Sequence, residues 1–171
     1  MTTEPAITTY GTKNAQAPAQ LNVFSFFVGK WKGVKEIGLP DGSHGQAEWT
    51  WIGRYILDGM AIADELHATA PDGSRYLGIT LRQFDTKHGS WLIEFLNVSG
   101  SFLRRQVNPR SGSVRVDGDT VVVISEDGEK RIRENYRVVD HDHFTYDMEA
   151  SSDAGKSWDP PAFEMAMTRL E

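Results

Sequence analysis

Short runs in which apolar and polar residues alternate dominate the chain after residue 29. An apolar residue at every second position is the pattern of a strand with one buried face. Asp-Gly pairs separate these runs at 41–42, 58–59, 72–73, 117–118 and 127–128, and Asp-Gly supplies the positive φ that tight hairpins require. The pattern predicts strands at 31–38, 45–53, 60–69, 75–84, 90–97, 101–107, 113–117, 119–125, 129–139, 143–151 and 161–170.

Consecutive hairpins of this kind favour an up-and-down meander. Because an open meander of this length would expose two sheet edges, we expect it to close on itself. The predicted fold class is therefore all-β, a closed antiparallel up-and-down β-barrel.

Two segments precede the strands. Residues 21–28 are densely apolar and end at Gly29, which predicts a short helix that plugs the barrel, with a strand as the competing interpretation. Residues 1–19 are rich in Thr, Ala, Gln and Pro and predict an irregular N-terminal arm. Residues 20–171 are then expected to form a single barrel domain.

Composition narrows the functional classes. A chain of 171 residues is long enough for one domain with a sizeable core. Its net charge of −6 argues against a nucleic-acid partner, which requires a basic surface. The absence of cysteine excludes disulfides, thiolate metal sites and a cysteine nucleophile. No apolar stretch suits a signal peptide or a membrane span, so we expect a cytoplasmic protein with no membrane partner.

Strand periodicity assigns residues to the two faces of each strand. Four strands have a mostly apolar or aromatic face, which we expect to point inward: Trp49 and Trp51; Trp91, Ile93, Phe95 and Asn97; Phe144, Tyr146, Met148 and Ala150; Phe163, Met165, Met167 and Arg169.

Two apolar faces include a carboxylate. Asp64 shares its face with Ile62 and Leu66, and Glu134 shares its face with Tyr136. A carboxylate inside a barrel costs several kcal/mol unless it is paired, hydrogen-bonded or hydrated. Arg82 or Arg104 could supply that partner, and we expect the face of residues 75–84 that includes Arg82 to line the lumen. The alternative is that both acids lie at strand ends in solvent or form a purely structural pair.

Other chemical motifs are weak. His141 and His143 have the i, i+2 spacing that places two ligands on one strand face, but they lie in a polar turn and no third ligand is apparent. No Gly-x-Ser-x-Gly elbow, phosphate-binding loop or dinucleotide fingerprint occurs. We therefore expect no metal and no cofactor.

The segment Gly29-Lys30-Trp31, at the junction of the predicted helix and the first strand, resembles the Gly-x-Trp signature of lipocalins and their calycin relatives. In that superfamily the Trp closes one end of the barrel and packs against an Arg of a late strand. The resemblance implies this role for Arg169, through a cation–π contact, and implies that the pocket opens at the opposite end.

A wider resemblance is to the DUF1579 type of bacterial lipocalin-like proteins, over about residues 21–170. The matching segments are Phe26-Phe27-Val28-Gly29-Lys30-Trp31, Trp49-Thr50-Trp51, Leu57-Asp58-Gly59, Gly78-Ile79-Thr80-Leu81-Arg82-Gln83-Phe84-Asp85 with Trp91, and Ser152-Asp153-Ala154-Gly155-Lys156-Ser157-Trp158. This resemblance implies a barrel with a ligand-sized cavity and names no reaction.

Three functions remain open. The first is binding of a small hydrophobic, possibly aromatic, metabolite in the cavity. Asp64 would help to orient the polar end of that metabolite. The expected ligand-binding residues are Trp49, Trp51, Arg82, Trp91, Phe95, Asn97, Phe144, Tyr146 and Met148.

The second is a cofactor-free isomerase, cyclase or lyase in the same cavity. Asp64 or Glu134 would be the general base, and Arg82 or Tyr146 would stabilise an oxyanion. The third is an interaction protein, a possible homodimer in which the N-terminal arm reaches across to the partner.

Overall fold

Eleven strands follow one short 3-10 helix in the computed structural model, which describes residues 10–38, 42–99, 102–105, 110–161 and 163–170. The helix spans Ala19–Phe27, and we call it the plug helix. The strands are β1 Gly29–Gly38, β2 His44–Ile56, β3 Ala61–Thr69, β4 Arg75–Asp85, β5 Ser90–Ser99, β6 Phe102–Arg105, β7 Arg110–Asp117, β8 Thr120–Asp127, β9 Lys130–Val138, β10 His143–Ser151 and β11 Phe163–Arg169.

The strands form one antiparallel sheet in the order β4-β3-β2-β1-β11-β10-β9-β8-β7-β5-β6, and pairing of β4 with β5 closes the circle. β6 and β7 both pair with β5, at its end and its start respectively, so together they occupy one position around the barrel. The predicted all-β fold, a closed antiparallel barrel with a short N-terminal helix, is confirmed.

The plug helix has three-residue periodicity. Leu21, Phe24 and Phe27 are its fully buried residues, and a spacing of three places them along one face because a 3-10 helix has three residues per turn. The ring of Phe24 meets Trp91 edge-on at 5.2 Å between centroids, and that of Phe27 meets Trp51 at 4.7 Å. The predicted helix is thus confirmed, and its apolar face fills one end of the barrel.

Arg169 connects β11 to the plug helix at the closed end of the barrel. Its guanidinium carbon lies 4.1 Å from the centre of the Trp31 ring, and its Nη1 and Nη2 donate to the carbonyls of Val28 at 2.7 Å and Phe26 at 3.1 Å. Trp31 Nε1 donates to the carbonyl of Phe27 at 3.0 Å. The Trp–Arg contact implied by the Gly-x-Trp resemblance is therefore present, and Arg169 also binds carbonyls at the C-terminal end of the plug helix.

The described part of the N-terminal arm lies against the turn between β2 and β3. The carbonyl of Tyr10 accepts a hydrogen bond from the Tyr55 amide at 2.8 Å, and the Asn14 amide donates to the Gly59 carbonyl at 3.2 Å. Asn14 Nδ2 also donates to the Asp58 carbonyl at 3.0 Å. Residues 10–18 thus dock on their own chain, and residues 1–9 of the predicted arm lie outside the described residues.

Candidate functional site

A buried ion pair joins β3 and β4 inside the barrel. Asp64 is 1% exposed and Arg82 is 2% exposed, and Arg82 Nη1 donates to Asp64 Oδ1. Ladder pairing of Asp64 with Thr80 and of Ile62 with Arg82 makes the two charged residues diagonal neighbours on one face. Trp51 Nε1 donates to Asp64 Oδ2 at 2.5 Å. Both oxygens of Asp64 are therefore engaged, as a buried carboxylate requires.

The polar contacts continue from Arg82 across the interior. Arg82 Nη2 lies 3.2 Å from the hydroxyl of Tyr136, which donates to Glu134 Oε1 at 3.3 Å. Tyr146 donates to the same oxygen at 3.0 Å. We call the connected residues Trp51, Asp64, Arg82, Tyr136, Glu134 and Tyr146 the interior network. It links β2, β3 and β4 to β9 and β10.

Burial keeps the phenols of this network protonated. It raises the pKa of Tyr136 well above its usual value, and the negative charge of Glu134 raises it further, while Arg82 opposes the shift. Burial and Glu134 also raise the pKa of Tyr146. Both tyrosines are consequently hydrogen-bond donors across the physiological pH range, and Glu134 accepts both bonds at one oxygen.

The interior network lies directly on the plug helix. The guanidinium carbon of Arg82 is 5.1 Å from the ring centre of Phe24 and 5.2 Å from that of Phe27, within the range of cation–π attraction. Trp91 packs on Phe24 at 5.2 Å, and Phe144 packs on Trp31 at 4.7 Å. Side chains therefore fill the barrel between the network and the closed end.

The opposite half of the barrel is lined by aromatic rings. The rings of Trp49 and Tyr76 are 6.3 Å apart, and those of Tyr76 and Phe95 stack at 6.5 Å. Ala68 pairs with both Trp49 and Tyr76 in the ladders, so its small side chain lets the two rings approach. Burial raises the pKa of Tyr76, and a hydrogen bond with Asn97 opposes that shift. We call this region the open half.

Arg82 Nε and Ser125 Oγ are among the buried polar atoms that have no hydrogen-bond partner in the described part of the chain. Ser125 is buried on β8 and pairs with Gly112 of β7 and Ile132 of β9. Because an unpaired buried polar group costs about 1–3 kcal/mol, both atoms would gain from a water or a ligand atom that pairs with them.

The structure thus unites the four candidate catalytic residues, Asp64, Arg82, Glu134 and Tyr146, in one network. It divides the candidate ligand-binding residues: Trp51, Trp91 and Phe144 pack near the plug helix, whereas Trp49, Phe95, Asn97 and the half-buried Met148 lie towards the open half. Asp64 has the partner predicted for it in Arg82, while Glu134 is bonded to tyrosines. The side chain of Arg104 lies outside the described part of the structure.

Two polar residues of the barrel interior were not predicted as site residues from the sequence. Tyr136 joins the two halves of the network, but a tyrosine on an apolar face is typical of ordinary core. Ser125 follows Val121 and Val123 on one face of β8, and a polar residue on an otherwise apolar face was its only signal.

No group of three or more metal-binding side chains occurs within the described ranges. His141 lies in the exposed turn before β10 and His143 is the first residue of that strand, and each contacts a nearby aspartate. No helix in the described part of the chain is long and apolar enough to cross a membrane.

The similar solved structures have very different sequences. Rv2717c from M. tuberculosis superposes with a TM-score of 0.56 at 13% identity, over 91% of this chain and 99% of that chain. The S-type phycobiliprotein lyase CPES from Guillardia theta gives a TM-score of 0.47 at 12% identity, over 88% of this chain and 92% of that chain. No curated protein matches the chain.

The family model described as "Protein of unknown function (DUF1579)" matches residues 18–169. That range runs from the plug helix to Arg169 and includes every strand of the barrel. The chain therefore belongs to the DUF1579 family.

Proposed function

We propose that the barrel binds a small, largely apolar molecule in its open half. The observation that carries this proposal is the position of the interior network, which crosses the barrel directly beneath an aromatic-lined region. An apolar site with a few fixed polar groups is the usual composition of a small-molecule pocket. The plug helix fills the other end, so the ligand enters from the open half.

The network also indicates the polar group of the ligand. Tyr136 and Tyr146 both donate to Glu134 Oε1, and neither bond involves Glu134 Oε2. A ligand N–H or O–H would donate to that oxygen. Trp49, Tyr76 and Phe95 offer ring faces to a flat apolar body. A planar aromatic molecule with one hydrogen-bond donor fits both requirements.

The test uses N-phenyl-1-naphthylamine, a neutral aromatic amine whose fluorescence rises in apolar surroundings. We expect saturable binding at one site. Ala68→Leu places extra methyl groups between Trp49 and Tyr76 and should abolish binding. Thr69→Leu adds similar bulk at the next residue of β3, which is exposed, and should leave binding unchanged. Native mass spectrometry of the purified protein would show whether a small molecule co-purifies.

Glu134→Gln tests the polar contact. A hydrogen bond to a charged acceptor contributes about 1.5–3 kcal/mol, so we expect affinity for N-phenyl-1-naphthylamine to fall at least about ten-fold. The proposal is refuted if Ala68→Leu binds N-phenyl-1-naphthylamine as tightly as the wild type does. It is also refuted if the wild type shows no saturable binding.

The enzymatic alternative is favoured by one observation, the union of all four candidate catalytic residues in a single network. Within it Asp64 is held by Arg82 and Trp51, which makes it a poor base because both bonds stabilise the charged form. Glu134 is the remaining candidate for general base. If a co-purifying molecule is converted by the wild type and equally by Glu134→Gln, acid–base catalysis at this site is excluded.

A further inference from the structure

A lateral opening interrupts the barrel wall between β1 and β11. The two strands pair at Trp31–Arg169, Lys32–Thr168 and Gly33–Met167. Beyond Gly33, β1 continues along β2, while β11 continues along β10. The strands separate there and enclose a cleft of about 460 Å3, which we call the slot.

Gly33 marks the point where the strands part. A Cβ at this position would lie 2.5 Å from Met167 Sδ, 2.9 Å from Met165 Sδ and 2.8 Å from the Ala166 carbonyl oxygen. β1 therefore approaches β11 closely at Gly33, and any larger residue would push the two strands apart. The close contact at Gly33 and the separation immediately after it give the slot a defined lower border.

Three strands line the slot, each with three consecutive residues: 34–36 of β1, 145–147 of β10 and 164–166 of β11. Tyr146 is 9% exposed and Met165 is 5% exposed, so the slot extends to side chains of the interior, whereas Val34 is 45% exposed at its outer rim. Its volume lies within the range of small-molecule sites.

The charge of the slot is acidic. Three carboxylates, those of Glu36, Asp147 and Glu164, line the slot together with one ammonium group, that of Lys35. Burial lowers the pKa of Lys35, and the attraction of Glu164 opposes this shift. Asp147 accepts a hydrogen bond from the neutral amide of Asn135 at 2.6 Å, and Glu36 lies 3.1 Å from His44 Nδ1. Arg133, which is not a lining residue, is bonded to Glu149 at 2.5 Å and also attracts Asp147.

We propose that the slot binds a small organic cation with an ammonium group and a short apolar portion. The ammonium group would lie among the rim carboxylates, and the apolar portion would contact Tyr146 and Met165. A cation over an aromatic ring gains electrostatic attraction in addition to apolar contact. This site lies in the barrel wall and borders the interior network at Tyr146, whereas the apolar body proposed for the open half contacts Trp49, Tyr76 and Phe95.

The experiment titrates the full chain with benzyltrimethylammonium, using calorimetry and amide chemical shifts. We expect saturable binding, weakened by salt, with shift changes concentrated at residues 34–36, 145–147 and 164–166. Benzoate and benzyl alcohol share the ring but lack the positive charge, and we expect both to bind at least about five-fold more weakly.

The triple variant Glu36→Gln, Asp147→Asn and Glu164→Gln should weaken binding of benzyltrimethylammonium by about five-fold or more. The matched control Glu48→Gln, Glu65→Gln and Glu126→Gln changes the net charge equally at exposed or half-exposed positions outside the slot and should leave binding unchanged. If the first variant does not fold, Ala166→Trp tests the same site by filling the slot from its exposed rim, and it should abolish binding.

Equal affinity for benzoate, an equal loss in the control variant, or shift changes outside the slot would overturn the proposal. Ala68→Leu should abolish binding of N-phenyl-1-naphthylamine and leave benzyltrimethylammonium binding intact, while Ala166→Trp should do the reverse. Failure of one proposal is therefore distinguishable from failure of the other.

Discussion

The buried pair of Asp64 and Arg82 should show strong energetic coupling. Arg82→Met removes the guanidinium and keeps an unbranched side chain, but it leaves Asp64 with Trp51 as its hydrogen-bond donor. Losing one partner of a buried ion pair costs about 3–5 kcal/mol because the other charge stays buried and unpaired. The variant also loses the cation–π contacts of Arg82 with Phe24 and Phe27. For a chain of this length, a loss of 3–5 kcal/mol lowers Tm by about 6–20 °C.

The double variant Asp64→Leu with Arg82→Met provides the comparison. It removes both charges, so its main remaining cost is the lost acceptor of Trp51 Nε1, about 1–3 kcal/mol. We expect the double variant to be less destabilised than the sum of the two single variants by more than about 2 kcal/mol. Urea unfolding followed by tryptophan fluorescence, together with calorimetry, measures the free energy of unfolding of the wild type, the two single variants and the double variant. Additive losses, or a loss below 1 kcal/mol for Arg82→Met, would refute the assignment of a buried pair.

Three further predictions concern stability. Arg169→Leu should lower the free energy of unfolding by about 2–3 kcal/mol in urea titrations, since a cation–π contact and several bonds to carbonyls disappear; a loss under 0.5 kcal/mol would contradict its role at the closed end. Gly53→Ala should destabilise more strongly, because its Cβ would lie 2.2 Å from the Phe27 carbonyl oxygen; an unchanged Tm would show that the backbone there is free to move. Hydrogen bonds from Ser157 and Ser151 lower the pKa of Asp153 to about 2, below its usual 3.8, so its contribution is complete above pH 4 and is lost as the pH falls through 2. Amide protection factors in the turn between β10 and β11, which are corrected for the intrinsic exchange rate at each pH, should therefore fall over that interval in the wild type but not in Asp153→Asn.

Local sequence patterns predict most of the strand positions because each hairpin is specified by neighbours in the chain. Alternation of apolar and polar residues defines the buried face of each strand. Asp-Gly pairs form the turns, as at Gly118 and Gly128, whose φ values are 61° and 60°. The position of β6 and β7 is less local. They were predicted as separate strands, and only pairing with β5 shows that they share one place in the barrel.

The site was predictable to the extent that polar residues interrupt apolar faces. Asp64 and Glu134 stand out on that basis, and Arg82 follows as a partner for Asp64. The contribution of Tyr136 depends on the register between β9 and β10, where it pairs with Tyr146, and no local pattern contains that register. The slot depends on where the β1–β11 ladder ends, which the sequences of the two strands do not reveal.

The pairing of β1 with β11 has a consequence for biosynthesis. The amide of Leu170 donates to the carbonyl of Lys30 at 2.7 Å, so β11 completes a ring that β1 begins. During translation β1 has its β2 partner early, but its other edge stays unpaired until β11 has emerged, after the other ten strands. Ring closure is thus a late, long-range event, and a nascent chain truncated before β11 would expose two strand edges to self-association.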